Sequence, residues 1–164
     1  MTAPRVVLVG VAGSGKTTVG RLLATALDVA GLDADDFHSS ANRARMTAGQ
    51  GLDDDARVDW LAAVHQQVRS LVQQQLGFVL ACSALRACYR QQLAADLPPF
   101  CWVHLQVDPA TLHQRLQRRT DHFFPATLLP SQLATWEALA TGLVVDGTDP
   151  PTQIVATIRQ WLRH

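Results

Sequence analysis

GVAGSGKT, residues Gly10 to Thr17, fits the phosphate-loop pattern GxxxxGK[ST] at every fixed position. Lys16 inside it is the only lysine of the chain, while thirteen arginines carry every other basic charge. A sequence that supplies arginine elsewhere and lysine here points to a site that needs a compact ammonium rather than a planar fork. The β- and γ-phosphates of a nucleotide are such a site. The flanks agree. Arg5 to Val9 (RVVLV) reads as a buried parallel strand, and Thr17 to Leu27 (TTVGRLLATAL) keeps an apolar stripe at helical spacing through Val19, Leu22, Leu23, Ala26 and Leu27. Strand, glycine loop and helix follow in that order, so backbone N–H groups of Gly10, Val11, Ala12, Gly13, Ser14, Gly15, Lys16, Thr17 and Thr18 are expected to surround phosphate at a helix N-terminus.

At 164 residues the chain reads as a single domain over 1–164, large enough to bury a core without staples. A net charge of zero argues against a nucleic-acid footprint or an anionic membrane partner and favours a small substrate. Cys82, Cys88 and Cys101 are odd in number and lack metal-type spacing, which suits free, buried thiols in a reducing compartment. A first strand at Arg5 and the lack of any apolar run near eighteen residues give the expectation of a cytoplasmic protein.

Strands and helices then alternate. A short strand over 29–33 leads into a polar stretch, DADDFHSSANRARMTAGQGLDDDAR, too rich in Asp, Arg and Gly for a core and therefore a site candidate. A helix is predicted over 55–75 with Val58, Leu61, Val64, Val68, Leu71 and Val72 on one face. Strands follow at 78–82, 101–107 and 143–146, with helices at 86–93, 109–118, 131–139 and from Pro150 or Pro151 to about Leu162. The pattern predicts a three-layer α/β/α fold around a five-stranded parallel sheet, with ligands beyond the carboxyl ends of the strands. Asp33 and Asp35, Cys82 and Ser83, Asp108, and Asp146 stand at those ends. No Asp closes the third strand. For Mg²⁺, Thr17 would offer one oxygen and Asp33 the carboxylate, the alternative being that Asp33 only caps a turn. Trp60, Trp102, Trp136 and Trp161 read as structural.

The chain resembles the gluconokinases, small ATP-dependent kinases of the phosphate-loop superfamily that phosphorylate the 6-hydroxyl of gluconate. The resemblance rests on GVAGSGKTT at 10–18, LDADDFHSSANRARM at 32–46, GLDDDARVDWL at 51–61, CSALRACYR at 82–90 and RLQRRTDHFFPATLLPSQLATWE at 115–137. The family usually has glycine at Ala34, proline after His38, lysine at Arg45 and Arg86, proline at Gly51 and Asp59, aspartate at Ala56 and glycine at Asp121. Ala56 thus removes a carboxylate and Asp121 adds a negative charge where a lid should close.

The resemblance implies a nucleoside- or shikimate-kinase-like domain with a helical lid at about 115–133, using ATP and Mg²⁺, and a homodimer. It implies Lys16, Asp35 and Arg119 as catalytic, with Arg115 and Arg119 also reaching the nucleotide. Asp35 would accept a hydrogen bond from the attacking hydroxyl. His38, Asn42, Arg45, Arg57, Arg86, Arg90 and the lid's His122 are the candidates for sugar-acid contacts, arginine offering bidentate carboxylate recognition. Arg57 and Arg90 have an alternative role in ion pairs with Asp53 to Asp55, Arg118 in a solvated helix end, and His122 in packing beside Phe123 and Phe124. Two other functions compete: a kinase of the same fold for another small hydroxy acid, shikimate above all, and a regulatory nucleotide binder that has lost catalysis.

Overall fold

The computed structural model describes residues 2–119 and 124–164. Five parallel strands, β1 (Arg5–Val9), β2 (Ala30–Asp33), β3 (Phe78–Ala81), β4 (Cys101–Gln106) and β5 (Leu143–Asp146), form one sheet in the order β2-β3-β1-β4-β5. The central strand explains why the sheet is covered twice. Successive side chains of a strand point to opposite faces, and all four of Val6 to Val9 are inaccessible to solvent. Val7 and Val9 join the core with Leu61, Val64, Phe78 and Leu80, under helices α3 (Asp54–Gln73) and α4 (Ala87–Leu93). Val6 and Leu8 join Val19, Leu23, Val103, Ile154 and Ile158 on the other face, under α1 (Lys16–Leu27) and α7 (Pro151–Trp161).

Two expectations fail in detail. Leu22 and Ala26 are exposed, because the sheet-facing stripe of α1 is filled by Val19, Gly20, Leu23 and Ala24. Val58 is likewise exposed, lying just outside the stripe Trp60, Leu61, Val64, Val68 and Leu71 of α3. The polar stretch, for which the sequence predicts no element, also folds. It forms a 3-10 turn over Ala34–Phe37 and helix α2 (Ser40–Thr47), whose N-cap Ser39 accepts the Asn42 N–H at 3.1 Å. A weakly apolar eight-residue helix leaves little periodicity to read.

Helix α5 (Pro109–Arg118) starts as predicted: Asp108 caps Thr111 and Pro109 occupies the first turn. Helix α6 spans Leu129–Thr135 after a 3-10 turn at Ala126–Leu128, two residues earlier than expected and shorter. A third apolar cluster joins these segments to the phosphate loop: Val11, Leu112, Leu116, Phe124, Leu128 and Leu129, with Met46 and Leu85. This cluster places α6 over the carboxyl end of the sheet.

Candidate active site

The loop after β1 takes the shape that its glycines allow. Gly13 and Gly15 have φ of 86° and 97°, the left-handed region in which a side chain would be strained. A Cβ on Gly13 would also lie 3.3 Å from Leu116 Cγ, so α5 packs directly on the loop. Lys16 opens α1, and its Nζ donates to Val11 O at 3.0 Å. Burial pushes the Lys16 pKa below its ordinary value; nearby Asp35, Cys82 and Asp33 oppose the shift, and Arg119 adds to it. An ammonium drawn toward a carbonyl and two carboxylates in a partly dry cleft is poised for an incoming anion.

Thr17 Oγ1 donates to Asp33 Oδ2 at 2.6 Å, while Asp33 Oδ1 accepts the Asp35 N–H at 3.0 Å. Asp33 therefore caps the 3-10 turn and also reaches the loop. Donating its proton to Asp33 leaves the Thr17 oxygen's lone pairs available, and hydroxyl plus carboxylate form the hard oxygen donor set that suits Mg²⁺. Among the described residues no three His, Cys, Asp or Glu side chains gather into a metal cluster. An ion here would be completed by phosphate oxygens and water.

One cavity is lined by Lys16, Thr17, Asp33, Asp35, His38, Arg57 and Arg119 together. The wall that carries Asp35 and His38 is braced by its neighbours. Trp60 Nε1 donates to Ala34 O at 2.7 Å, fixing the 3-10 turn, and the Trp60 ring stacks on His38 with centroids 4.3 Å apart. Arg43 Nη2 donates to Asp35 O at 2.7 Å. His38 Nε2 lies 3.9 Å from Asp35 Oδ1, yet burial lowers the His38 pKa to about 4, so the ring is neutral near pH 7. Arg57 Nη1 donates to Tyr89 Oη at 2.9 Å, and that hydroxyl donates to Asp54 Oδ1 at 3.1 Å. The alternative pairing of Arg57 with the 53–55 carboxylates is present, with Asp54 at 3.9 Å, and the residue also lines the cavity.

The other arginines separate by role. Arg90 is buried, and its guanidinium donates to the carbonyls of Ala84, Leu85, Glu137 and Ala138 at 2.8 to 3.3 Å. It lies outside the cavity lining and pairs with none of Asp53 to Asp55: its donors are consumed by backbone. Arg86 is partly exposed, pairs with Glu137 at 3.3 Å and borders a neighbouring groove. Arg45 pairs with Asp53 at 3.7 Å and, like Asn42, lies outside the cavity lining. Arg115 donates to Gly13 O at 3.1 Å and Gly147 O at 2.9 Å, buttressing the loop from outside. Arg118 is exposed on the last turn of α5. Asp121 and His122 lie outside the described residues. Cys82 is buried beside the loop, and burial pushes its thiol up to about 12, so it is inert near neutral pH.

A family model described as an AAA domain matches residues 6–141. The gluconokinase of Gluconobacter oxydans is 46% identical over 145 residues, covering 88% of this chain and 78% of the relative. The chain belongs to the gluconokinase family. Among solved structures, a gluconokinase from Sinorhizobium meliloti 1021 matches with a TM-score of 0.82 at 32% identity, covering 99% of this chain and 97% of its own. An unliganded sugar kinase from Janibacter sp. HTCC2649 matches at 0.88 and 37% identity, covering 98% and 95%.

The gluconokinase segments quoted from the sequence meet around the cavity, and they bring residues to which the sequence assigned no role. Tyr89, Trp60 and Gln132 all line it. Gln132 Oε1 accepts the Ala12 N–H of the loop at 2.7 Å. Trp60 reads as helix core and Gln132 as one polar residue on a short helix, so only the LLPSQ segment hinted at the second. Glu137, the chain's only glutamate, accepts the Ala87 N–H at 3.1 Å and so caps α4.

Proposed function

We propose that this protein transfers the γ-phosphoryl group of ATP to the 6-hydroxyl of gluconate, with Mg²⁺ held between Thr17, Asp33 and the nucleotide. The observation that carries the reading is the shared cavity: a phosphate cradle with Lys16, and facing it Asp35, His38 and Arg57. Family membership selects the acid.

Phosphoryl transfer needs in-line positioning and cations at the equatorial oxygens more than covalent help from the protein. Loop N–H groups and Lys16 hold the β- and γ-phosphates, and Arg119, at the end of α5, adds a second cation to the same cavity. A metal held by Thr17 and Asp33 would supply further neutralisation of phosphate charge. Asp35 accepts the hydrogen of the attacking hydroxyl and aligns its oxygen lone pair on the phosphorus. Neutral His38 can donate to one substrate hydroxyl without adding charge. Arg57 takes the carboxylate: Lys16 and Arg119 serve phosphate, while the donors of Arg90 are occupied by carbonyls. A homodimer rests on the family resemblance and a cytoplasmic setting on the sequence pattern; sedimentation tests the first.

The deciding experiment is ADP release from Mg·ATP with gluconate, shikimate, glycerate and other sugar acids supplied separately at equal concentration. Turnover with gluconate and not with shikimate is expected. Turnover confined to another acid would move the substrate, and ATP binding without turnover on any acid would overturn the enzyme reading.

A further inference from the structure

Among the described residues of the lid segment, Gln132 meets the phosphate loop through the Ala12 N–H at 2.7 Å, and Arg115 meets it through Gly13 O at 3.1 Å. Both ends of the helix that carries Gln132 are anchored. At the start, Leu128 and Leu129 are buried with Leu112 and Leu116. At the end, Trp136 stacks on His104 with centroids 4.1 Å apart, Arg90 Cζ lies 5.4 Å from the Trp136 centroid, and Arg90 holds the carbonyls of Glu137 and Ala138. The carboxamide is thus placed by packing on either side rather than by a loose surface contact.

The chemistry of the amide fixes its direction. A backbone N–H can be met only by the carbonyl oxygen, so Oε1 faces Ala12 and the two Nε2 hydrogens face elsewhere. Gln132 lines the cavity, and Nε2 bonds no other described residue. The phosphate side already holds loop N–H groups, Lys16 and Arg119. The acceptor side offers Asp35, which only accepts when ionised, a neutral His38 and the carboxylate-directed Arg57. A polyhydroxy acid exposes hydroxyl oxygens that require donors, preferably uncharged ones away from its carboxylate.

We propose that Gln132 is a substrate-binding residue: Oε1 stays on the Ala12 N–H while Nε2 donates to a hydroxyl oxygen of the bound sugar acid, setting that chain's register against the phosphate loop. This rests on the sugar-acid kinase reading above. Gln132→Leu removes acceptor and donors; Gln132→Glu keeps an oxygen for Ala12 but turns an anionic oxygen toward an anionic substrate. Both variants are assayed with whichever acid wild type accepts, so the identity of the acid is settled separately. The expected result is a KM for the acid raised roughly tenfold in the Leu variant and further in the Glu variant, with the KM for ATP within about threefold. Deoxy analogues of the acid are the second measurement: for the analogue lacking the contacted hydroxyl, wild type and Gln132→Leu converge. A raised KM for ATP with the acid's KM unchanged would overturn the proposal by making Gln132 a nucleotide contact. Unchanged constants, or an equal penalty on every deoxy analogue, would overturn it by leaving Gln132 a structural latch. If the Leu variant does not fold, Gln132→Asn, one methylene shorter, should show the same split, and its equality with wild type would overturn the proposal too.

Discussion

Apart from Arg119, the phosphate side of the cavity comes from one consecutive stretch, Gly10 to Thr17, whereas the acceptor side gathers Asp35, His38, Arg57, Trp60, Tyr89 and Gln132 from the 3-10 turn and its end, α3, α4 and α6. The first is specified by backbone conformation, with positive φ at Gly13 and Gly15, and works through main-chain groups. The second depends on side chains whose placement follows from packing far away in sequence, such as Trp60 under Ala34 or Arg90 under residues 137 and 138. A site half local and half assembled should fail in two different ways when mutated.

The largest effect belongs to the local half. Lys16→Ala should lower turnover by about a thousandfold or more while the thermal transition persists, since the residue's charge serves the bound phosphates. Unchanged ADP release in a folded variant would break the assignment. Asp35→Asn tests where the two halves meet. It should lower kcat by about a hundredfold or more with the KM for ATP within about threefold. Loss confined to ATP binding would move Asp35 to the nucleotide side.

A pair of arginines sharpens the contrast between a group that binds and a group that builds. Arg57→Leu should raise the KM for gluconate by about thirtyfold, and urea titration should show a stability change of no more than about 1 kcal/mol. Arg90→Leu leaves four carbonyls without their donor and should cost about 3 kcal/mol in the same titration. The reverse pattern would exchange their roles.

The smallest expected effect is a slope with pH. Burial, the larger cause in each case, lowers His38 and His104 to about 4 from 6.5; Arg43 adds to the shift of His38, and Arg90 and Lys16 to that of His104. The unfolded chain therefore binds these protons first as pH falls. Their contribution is complete above about pH 6.5 and is lost progressively toward pH 4. Denaturant midpoints across that window should fall with pH, and a His38→Gln variant should show a shallower fall.

These differences explain what could be read in advance. Parallel sheet, helix order and cradle follow from RVVLV, GVAGSGKT and alternating apolar runs, because each is written in neighbouring residues. Asp33 and Thr17 were legible too, as each sits at a fixed offset from a strand end. The acceptor arginines were not. Arg45, Arg57, Arg86 and Arg90 look alike in sequence, and only the carbonyls of residues 84, 85, 137 and 138 show that Arg90 is spent on the backbone. Val58 and Leu22 failed for a related reason: a stripe on a helical wheel has edges, and the neighbouring element decides which residues lie beyond them.

The solitary ε-amine of Lys16 has a practical consequence. Because the chain contains no second lysine, an amine-directed acylating reagent has one side chain to find, and that side chain is partly buried and engaged with Val11 O. Peptide mapping of its modification, with and without nucleotide, would report occupancy of the phosphate loop at one side chain, resolved from the chain's α-amine and free of any surface-lysine background.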